Sequence, residues 1–155
     1  LTQLYNRRGF FEAAQKHIKF LKRHNVGFFL LYIDLDGLKK INDVYGHQDG
    51  DLAIKETAEI LRGALRETDI IARLGGDEFT VVISKVEPPN YECIFNRIEQ
   101  KRIEKNKELN KPWQIEMSIG NIYVSAEDEQ DLTELMNKAD TMLYKEKHSK
   151  KKAQK

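Results

Sequence analysis

The stretch Gly75-Gly76-Asp77-Glu78-Phe79 lies between two runs of β-type residues, 69–74 and 79–83. Adjacent glycines tolerate positive φ angles, so Gly75 and Gly76 predict a two-residue hairpin turn. Asp77 and Glu78 leave that turn as paired carboxylates, which suits a site for a metal ion and a phosphate chain. The plainer alternative is an ordinary hairpin whose acids face water. A second acidic turn upstream favours the site.

Helical and strand patterns alternate on both sides of this hairpin. Helices are predicted over residues 4–24, 38–45, from 49 or 50 to about 66, from 91 to about 109, and 131–147. Strands are predicted over residues 28–33, 114–118 and 121–125, besides the hairpin at 69–84. This order predicts an α+β fold with a central, mostly antiparallel sheet and flanking helices. It contains the β-α-β-β-α-β order of ferredoxin-like folds.

Composition limits the classes of protein to consider. The 155 residues fit one domain, placed at residues 1–148, with a basic, disordered tail at 149–155. The formal net charge of +1 provides no overall field for a nucleic-acid partner. The single cysteine, Cys93, fits a reducing, cytoplasmic compartment, and the longest apolar run, 26–35, is too short to span a bilayer. The chain begins at Leu1 without Met, so we expect it to be a piece of a longer protein.

Two acidic turns predict a metal site. Asp34 follows the buried strand at 28–33, and Asp77 lies at the hairpin turn. If this strand pairs with the hairpin, both carboxylates meet at one sheet edge. Together with a backbone carbonyl such as that of Leu35, they can hold one or two Mg²⁺ ions, or Mn²⁺ in their place. Such ions neutralise a triphosphate and activate an attacking hydroxyl. Asp36 shares the face of Asp34, but its position just before a helix favours a capping role.

Polar residues around the next turn suit a nucleotide. Asn42 and Asp51 flank residues 46–50, and an amide together with a carboxylate can recognise guanine. Adenine lacks the donor pair that a buried Asp51 would require. Lys39 can contact phosphate. Read alone, each of these residues fits an ordinary surface or helix position better than a binding site.

The combination of motifs resembles the GGDEF family of bacterial diguanylate cyclases over essentially the whole chain. The matching segments are Leu1-Thr2-x-Leu4-x-Asn6-Arg7-Arg8, Asp34-Leu35-Asp36-x-x-Lys39-x-x-Asn42-Asp43, Gly46-His47-x-x-Gly50-Asp51, the complete Gly75-Gly76-Asp77-Glu78-Phe79, Ser118-Ile119-Gly120, and Ala139-Asp140-x-x-Leu143-Tyr144-x-x-Lys147. Six motifs in the right order form a specific signal. The resemblance implies the cyclase-palm variant of the ferredoxin-like core.

The resemblance also implies a reaction, in which two GTP molecules condense to cyclic di-GMP with loss of two pyrophosphates. Each domain would hold one GTP, so a homodimer is needed, and a sensory or regulatory domain is expected before Leu1 in a larger protein, with or without a membrane anchor.

By this analogy each site residue has a role. Asp34, the Leu35 carbonyl and Asp77 bind Mg²⁺, Asn42 and Asp51 bind guanine, Lys39, Lys147 and Lys151 bind phosphate, and Asp77 or Glu78 assists the 3′-hydroxyl. Lys151 stands where the family usually has an arginine, which would lower phosphate affinity.

A second constellation, Arg66-Glu67-Thr68-Asp69, resembles the R-x-x-D product-inhibition site of the family, and Arg97 is a candidate third member. If the helix persists, Arg66 and Asp69 share one face. The strand from Asp69 to the turn spans roughly 17 to 25 Å at about 3.3 Å per residue, so this site is separate from the GTP pocket. The plainer interpretation is a helix-end ion pair.

Two other functions remain as alternatives. A catalytically silent GGDEF-like module could bind GTP or cyclic di-GMP and act as a signalling receptor, but such modules typically lose the acids that Asp34, Asp77 and Glu78 retain here. A nucleic-acid-binding domain would have to rely on the lysine-rich tail alone, and we expect no nucleic-acid partner.

Overall fold

The computed structural model describes residues 1–84 and 90–153, and these form five helices and four strands. In chain order they are α1 (Arg7–Arg23), β1 (Phe28–Asp36), α2 (Leu38–Tyr45), α3 (His47–Ala64), β2 (Ile70–Gly75), β3 (Glu78–Ser84), α4 (Tyr91–Leu109), β4 (Glu116–Val124) and α5 (Leu132–Ala153). The side chain of Asn6 caps α1 by accepting a hydrogen bond from the Gly9 N–H. From β1 to β4 the chain follows the predicted β-α-β-β-α-β order, with α2 and α3 forming the first crossover.

The strands form one sheet in the order β2-β3-β1-β4, and every neighbouring pair is antiparallel. The predicted α+β fold is therefore confirmed. β1 lies between β3 and β4, and all of it except its last residue is buried, which explains its nearly continuous apolar sequence. Near the end of β1, Asp34 is paired with Glu78 of β3 and with Ser118 of β4. Polar residues of three strands thus meet at one edge of the sheet.

Helices cover both faces of the sheet, and each face has its own hydrophobic core. Residues 29, 31, 33 and 35 of β1 pack with residues of α2, α3 and α4. Residues 28, 30 and 32 pack with α1 and α5. Because side chains alternate along a strand, Asp34 and Asp36 continue the second series and lie on the α5 face.

The prediction of two strands over residues 114–125 is wrong, because β4 runs without interruption through Gly120. The two predicted strands left Gly120 between them, but Gly120 lies within β4 and lets α5 approach the sheet. A Cβ atom at Gly120 would lie 2.2 Å from the Leu143 nitrogen and 2.3 Å from the Ala139 carbonyl oxygen. A glycine inside a strand often marks such a close approach.

The helix boundaries also differ from the prediction. α1 begins at Arg7 rather than at residue 4, and α3 runs from His47 to Ala64 rather than from 49 or 50 to about 66. α5 continues to Ala153 and so includes residues 149–153 of the segment predicted to be a disordered tail, while 154 and 155 lie outside the described residues. Among the helices described, none combines the length and apolar character needed to cross a membrane.

Candidate active site

The hairpin places Asp77 beside the end of β1. Gly75 pairs with Glu78, so the two turn residues are Gly76 and Asp77 rather than the predicted Gly75 and Gly76. A register shift at the end of β2 causes this difference, and Gly76 has a positive φ of 43°. The Arg73 guanidinium closes the turn by donating to the Gly76 carbonyl oxygen at 3.0 and 3.1 Å.

A backbone hydrogen bond of 2.8 Å, from the Leu35 N–H to the Asp77 carbonyl oxygen, extends the strand pairing into the turn. The pairing between β1 and the hairpin that the metal-site hypothesis requires is therefore present. The N–H and C=O of a strand residue point to the same side, so the Leu35 carbonyl also faces the turn. Asp34, Leu35 and Asp77 consequently lie at one corner of the sheet.

Asp34 is buried in a strongly polar environment. The Lys147 ammonium of α5 donates to Asp34 Oδ2, whereas Asp34 Oδ1 is buried without a hydrogen-bond partner among the described residues. Burial, assisted by the neighbouring Asp77 carboxyl and opposed by Lys147, raises the pKa of Asp34 to about 7. Burial tends to lower the pKa of Lys147, but Asp34, Asp36 and Asp77 raise it above its ordinary value overall. Negative charge is therefore concentrated at this corner and favours a neighbouring cation, of which the Lys147 ammonium is one.

Glu78 lies opposite Asp34 and contacts a residue that the sequence analysis missed. The Tyr32 hydroxyl donates to Glu78 Oε2 at 2.9 Å. Burial and the Glu78 carboxylate raise the pKa of Tyr32 to about 12, so it remains a neutral donor at physiological pH. The strand alternation, which puts Tyr32 on the face of Asp34, was the available signal. This bond fixes the orientation of the Glu78 carboxylate.

Asp36 does not cap α2, so the favoured interpretation of this residue is wrong. Gly37, in a left-handed conformation, occupies the N-cap position and makes no side-chain capping bond. Asp36 is the last residue of β1 and its carboxylate accepts hydrogen bonds from the Ser118 hydroxyl at 2.8 and 3.0 Å. Lys150 lies 3.3 Å from the same carboxylate and also donates to the Met117 carbonyl oxygen at 2.6 Å. These bonds attach the extended part of α5 to β4.

A cavity of about 800 Å³ opens next to this corner. Its lining includes Leu35, Asp77, Lys147 and Lys151 of the predicted site, together with Asp36, Gly37, Lys40, Ile41, Tyr45, Pro112, Trp113, Gln114, Glu116, Ser118 and Lys150. The predicted phosphate ligand Lys39 is exposed on α2 and is absent from the described lining, which contains Lys40 instead. A group of lysines together with three carboxylates, Asp36, Asp77 and Glu116, suits a phosphate chain accompanied by a cation.

The predicted guanine-binding residues flank the turn between α2 and α3. Asn42 is half-buried on α2, and Asp51 is exposed in the first turns of α3 rather than buried. Gly50 packs directly on Asn42, since a Cβ at Gly50 would lie 1.7 Å from Asn42 Oδ1. Glycine at this position therefore brings the start of α3 against the Asn42 amide.

The R-x-x-D segment forms a turn rather than a helical face, because α3 ends at Ala64. The Arg66 N–H donates to Asp69 Oδ2 at 2.8 Å, and Asp69 Oδ1 is buried without a hydrogen-bond partner among the described residues. Burial raises the pKa of Asp69, against the opposing effects of Arg66 and Arg97. Arg97 donates to the Ala64 carbonyl oxygen at 3.2 Å, so all three residues of the predicted site are close together.

A second cavity, of about 670 Å³, lies at this turn and includes Arg62, Arg66 and Asp69 in its lining. None of its described lining residues lines the first cavity. Across the described parts of the chain, no three or more His, Cys, Asp and Glu residues cluster so as to hold a metal ion.

Comparisons with known proteins agree with this architecture. The family model described as diguanylate cyclase, GGDEF domain, matches residues 1–153. The bifunctional diguanylate cyclase/cyclic di-GMP phosphodiesterase MucR of Pseudomonas aeruginosa is 39% identical over 145 residues, which are 93% of this chain but 21% of MucR. The chain therefore spans about a fifth of that relative.

Solved structures show the same fold. The GGDEF domain of YfiN from Pseudomonas aeruginosa superimposes with a TM-score of 0.83 at 29% identity, covering 96% of this chain and 93% of that one. A microbial GGDEF domain studied for its interaction with cyclic di-GMP gives a TM-score of 0.79 at 31% identity, with coverage of 96% and 90%. The chain belongs to the GGDEF domain family.

Proposed function

We propose that this domain is a diguanylate cyclase that condenses two GTP molecules into cyclic di-GMP and two pyrophosphates. The observation that carries the proposal is the corner formed by Asp34, Leu35 and Asp77, with the lysine-lined cavity beside it. The 3′-hydroxyl of one GTP attacks the α-phosphorus of the other, a new P–O bond forms, and the bond to pyrophosphate breaks. A second attack in the opposite direction closes the ring.

The corner fits a divalent cation. The buried Asp34 Oδ1, which lacks a hydrogen-bond partner among the described residues, is an oxygen that a hard cation would satisfy. Asp34, Asp77 and the Leu35 carbonyl are the residues that would hold Mg²⁺, or Mn²⁺. When bound, the ion supplies positive charge that stabilises the transferring phosphate and the attacking oxygen.

Other side chains of this domain would accept the proton of the attacking hydroxyl and bind the phosphates. The carboxylate of Glu78 or Asp77 accepts the proton of the 3′-hydroxyl, with the Tyr32 hydroxyl holding Glu78 in place. Lys147 leaves Asp34 to neutralise a phosphate oxygen, and Lys151 adds a second charge from the next turn of α5. We assign Lys40, which lines the cavity, as a further phosphate contact besides the exposed Lys39.

Asn42 and Asp51 would read guanine. The carboxylate accepts from the ring N–H and the exocyclic amine of guanine, while the amide serves the other edge of the base. Asp51 is exposed here, so discrimination against adenine depends on guanine itself burying this carboxylate. Because residue 50 is glycine, the start of α3, which carries Asp51, can pack directly against the Asn42 side chain.

Catalysis requires two copies of the domain, because each copy holds one GTP and the two triphosphates must face each other. We also propose that cyclic di-GMP inhibits the enzyme at the cavity that Arg66 and Asp69 line, with Arg97 close by on α4. An arginine fork recognises guanine O6 and N7, and the unpaired Asp69 Oδ1 can accept from the opposite edge of the base.

The test is product formation by the purified chain. We would incubate it at high concentration with GTP and Mg²⁺ and separate the nucleotides by chromatography, beside an Asp77→Ala variant. We expect cyclic di-GMP from the parent and none from the variant.

A fusion to a dimerising coiled coil controls for a monomer that cannot pair. If the fused parent also made no cyclic di-GMP, the cyclase proposal would be wrong, and binding of GTP or cyclic di-GMP without turnover would favour a receptor module.

A further inference from the structure

The segment between α4 and β4 is held firmly by α4. The Asn106 side chain accepts from the Ile115 N–H at 2.8 Å and donates to the Ile115 carbonyl oxygen at 3.1 Å. Arg102 donates to the same carbonyl at 3.0 Å. These three bonds fix the end of the segment, so a side chain projecting from it has a defined position.

Trp113, the single tryptophan of the chain, projects from this segment and is buried. Its Nε1–H donates to Asp49 Oδ2 at 2.8 Å. Lys111 of the same segment lies 3.3 Å from Asp49 Oδ1, so both oxygens of this carboxylate bind the segment. The Trp113 hydrogen bond, followed by Lys111, lowers the pKa of Asp49, and this carboxylate therefore stays ionised as an acceptor.

Asp49 lies in the first turn of α3, which makes no side-chain capping bond of its own. Gly46, with a φ of 96°, occupies its N-cap position. Gly50, the next residue after Asp49, packs on Asn42, and Asp51 follows directly. The contact with Trp113 thus holds the uncapped start of α3 at the point where both proposed guanine-binding residues meet.

We propose that Trp113, acting through Asp49, is a positioning residue that fixes Asn42 and Asp51 for guanine recognition. The inference rests on the proposed function. A carboxylate that must meet two donors of one base needs a preset position, because a small displacement lengthens both hydrogen bonds together. Trp113 also lines the cavity that contains Asp77 and Lys147. The indole therefore lines the cavity proposed to hold phosphate and also contacts, through Asp49, the helix that carries the proposed guanine ligand Asp51.

The experiment compares two ligands by calorimetry: a non-hydrolysable GTP analogue, and inorganic tripolyphosphate as the phosphate portion alone. Trp113→Phe keeps the aromatic packing but removes the N–H donor, and Asp49→Ala removes the acceptor. Asp49→Asn is the conservative variant, since its amide oxygen can still accept from the indole. Lys111→Met removes only the ion pair of an exposed lysine.

We expect Trp113→Phe and Asp49→Ala to weaken binding of the GTP analogue about tenfold, the equivalent of one hydrogen bond to a charged group. Tripolyphosphate affinity stays within about twofold of the parent, and Asp49→Asn restores most of the analogue affinity. Lys111→Met has little effect.

Three results would overturn the inference. If the parent makes cyclic di-GMP but Trp113→Phe and Asp49→Ala bind the GTP analogue as tightly as the parent, the positioning role is contradicted and the proposed function is not. An equal loss of affinity for the GTP analogue and for tripolyphosphate would indicate general destabilisation of the protein instead. A parent that does not prefer the GTP analogue to an ATP analogue would contradict the proposed guanine site, and the positioning role with it.

Discussion

Asp34 and Asp69 are two buried aspartates that share three properties. Asp34 is on β1 beside the turn of the β2–β3 hairpin, and Asp69 precedes β2 at the other end of that hairpin. Their exposed fractions are 7% and 9%. Each keeps one buried carboxylate oxygen without a hydrogen-bond partner among the described residues. In both, burial is the main cause of a raised pKa. An unsatisfied buried oxygen is costly, so both positions favour a ligand that can satisfy it.

Their neighbours differ. Asp34 is next to a second carboxyl group, that of Asp77, and to the Lys147 ammonium. Asp69 accepts a backbone N–H within its own turn and lies near the guanidinium groups of Arg66 and Arg97. Excess negative charge at Asp34 suits a cation, whereas compensated charge at Asp69 suits the N–H groups of a neutral base. The neighbours, rather than burial, determine the expected ligand.

The largest expected effect is on turnover. Asp77→Asn removes one carboxylate of the corner while preserving its shape, so we expect the rate of cyclic di-GMP formation to fall by about a thousandfold or more. Asp69→Asn is the matched control, and its initial rate should stay within about twofold of the parent before product accumulates. Similar losses in both variants, measured by chromatography, would remove the distinction between the two sites.

Binding of cyclic di-GMP should depend on the residues around Asp69 and not on those around Asp34. Arg66→Ala removes the proposed fork to guanine, so we expect the Kd for cyclic di-GMP to rise about ten- to a hundredfold. Asp34→Asn should leave this Kd unchanged, because Asp34 lies at the sheet corner beside the other cavity and does not line the cavity of Arg66. Calorimetry with cyclic di-GMP measures both. Weakened product binding in Asp34→Asn would mean that the two sites are not independent.

A smaller effect is expected at Lys147. Lys147→Met removes a charge-assisted contact to phosphate, so the KM for GTP should rise about tenfold. Lys138→Met, an exposed lysine on the same helix, is the control and should behave as the parent. Steady-state kinetics with the coiled-coil fusion separates KM from kcat. An unchanged KM would mean that Lys147 forms the ion pair with Asp34 but does not contact the phosphates of GTP.

The smallest effect concerns stability and pH. The pKa of Asp69 is raised in the folded protein, so the folded state binds this proton more tightly than the unfolded state. The free energy of unfolding contributed by Asp69 therefore falls as the pH rises above the ordinary value of 3.8. Asp69→Asn has no such proton, and its stability relative to the parent should increase between pH 4 and pH 7 in urea unfolding. A parallel pH dependence in both proteins would contradict this assignment.

Much of the fold was predictable from local patterns. The bounds of α2 and α4, the buried strand β1 and the β-α-β-β-α-β order follow from hydrophobic periodicity and from the glycines at 37 and 46. The predicted break between residues 118 and 121 was wrong because a glycine that interrupts a strand and one that accommodates a packed helix look alike in sequence. Only the contact with Leu143 and Ala139 distinguishes them.

The site was predictable in part. Pairing of one strand with the hairpin was enough to bring Asp34 and Asp77 to the same corner. The partners of Asp36 and the bond between Trp113 and Asp49 were not predictable, because they join residues 82 and 64 positions apart through packing of whole elements. Asp36 in particular looked like a helix cap because its position in the last residue of β1 depends on pairing with β4.

The central claim, that the Asp34 corner binds a divalent cation and the Asp69 turn does not, can be tested directly by Mn²⁺ binding. Electron paramagnetic resonance measures free Mn²⁺ in solutions of the parent, Asp34→Asn and Asp69→Asn, each without nucleotide, because a triphosphate would itself bind Mn²⁺. We predict that the parent and Asp69→Asn remove Mn²⁺ from solution equally and that Asp34→Asn does not at the same concentrations. Undiminished Mn²⁺ binding by Asp34→Asn would contradict the account.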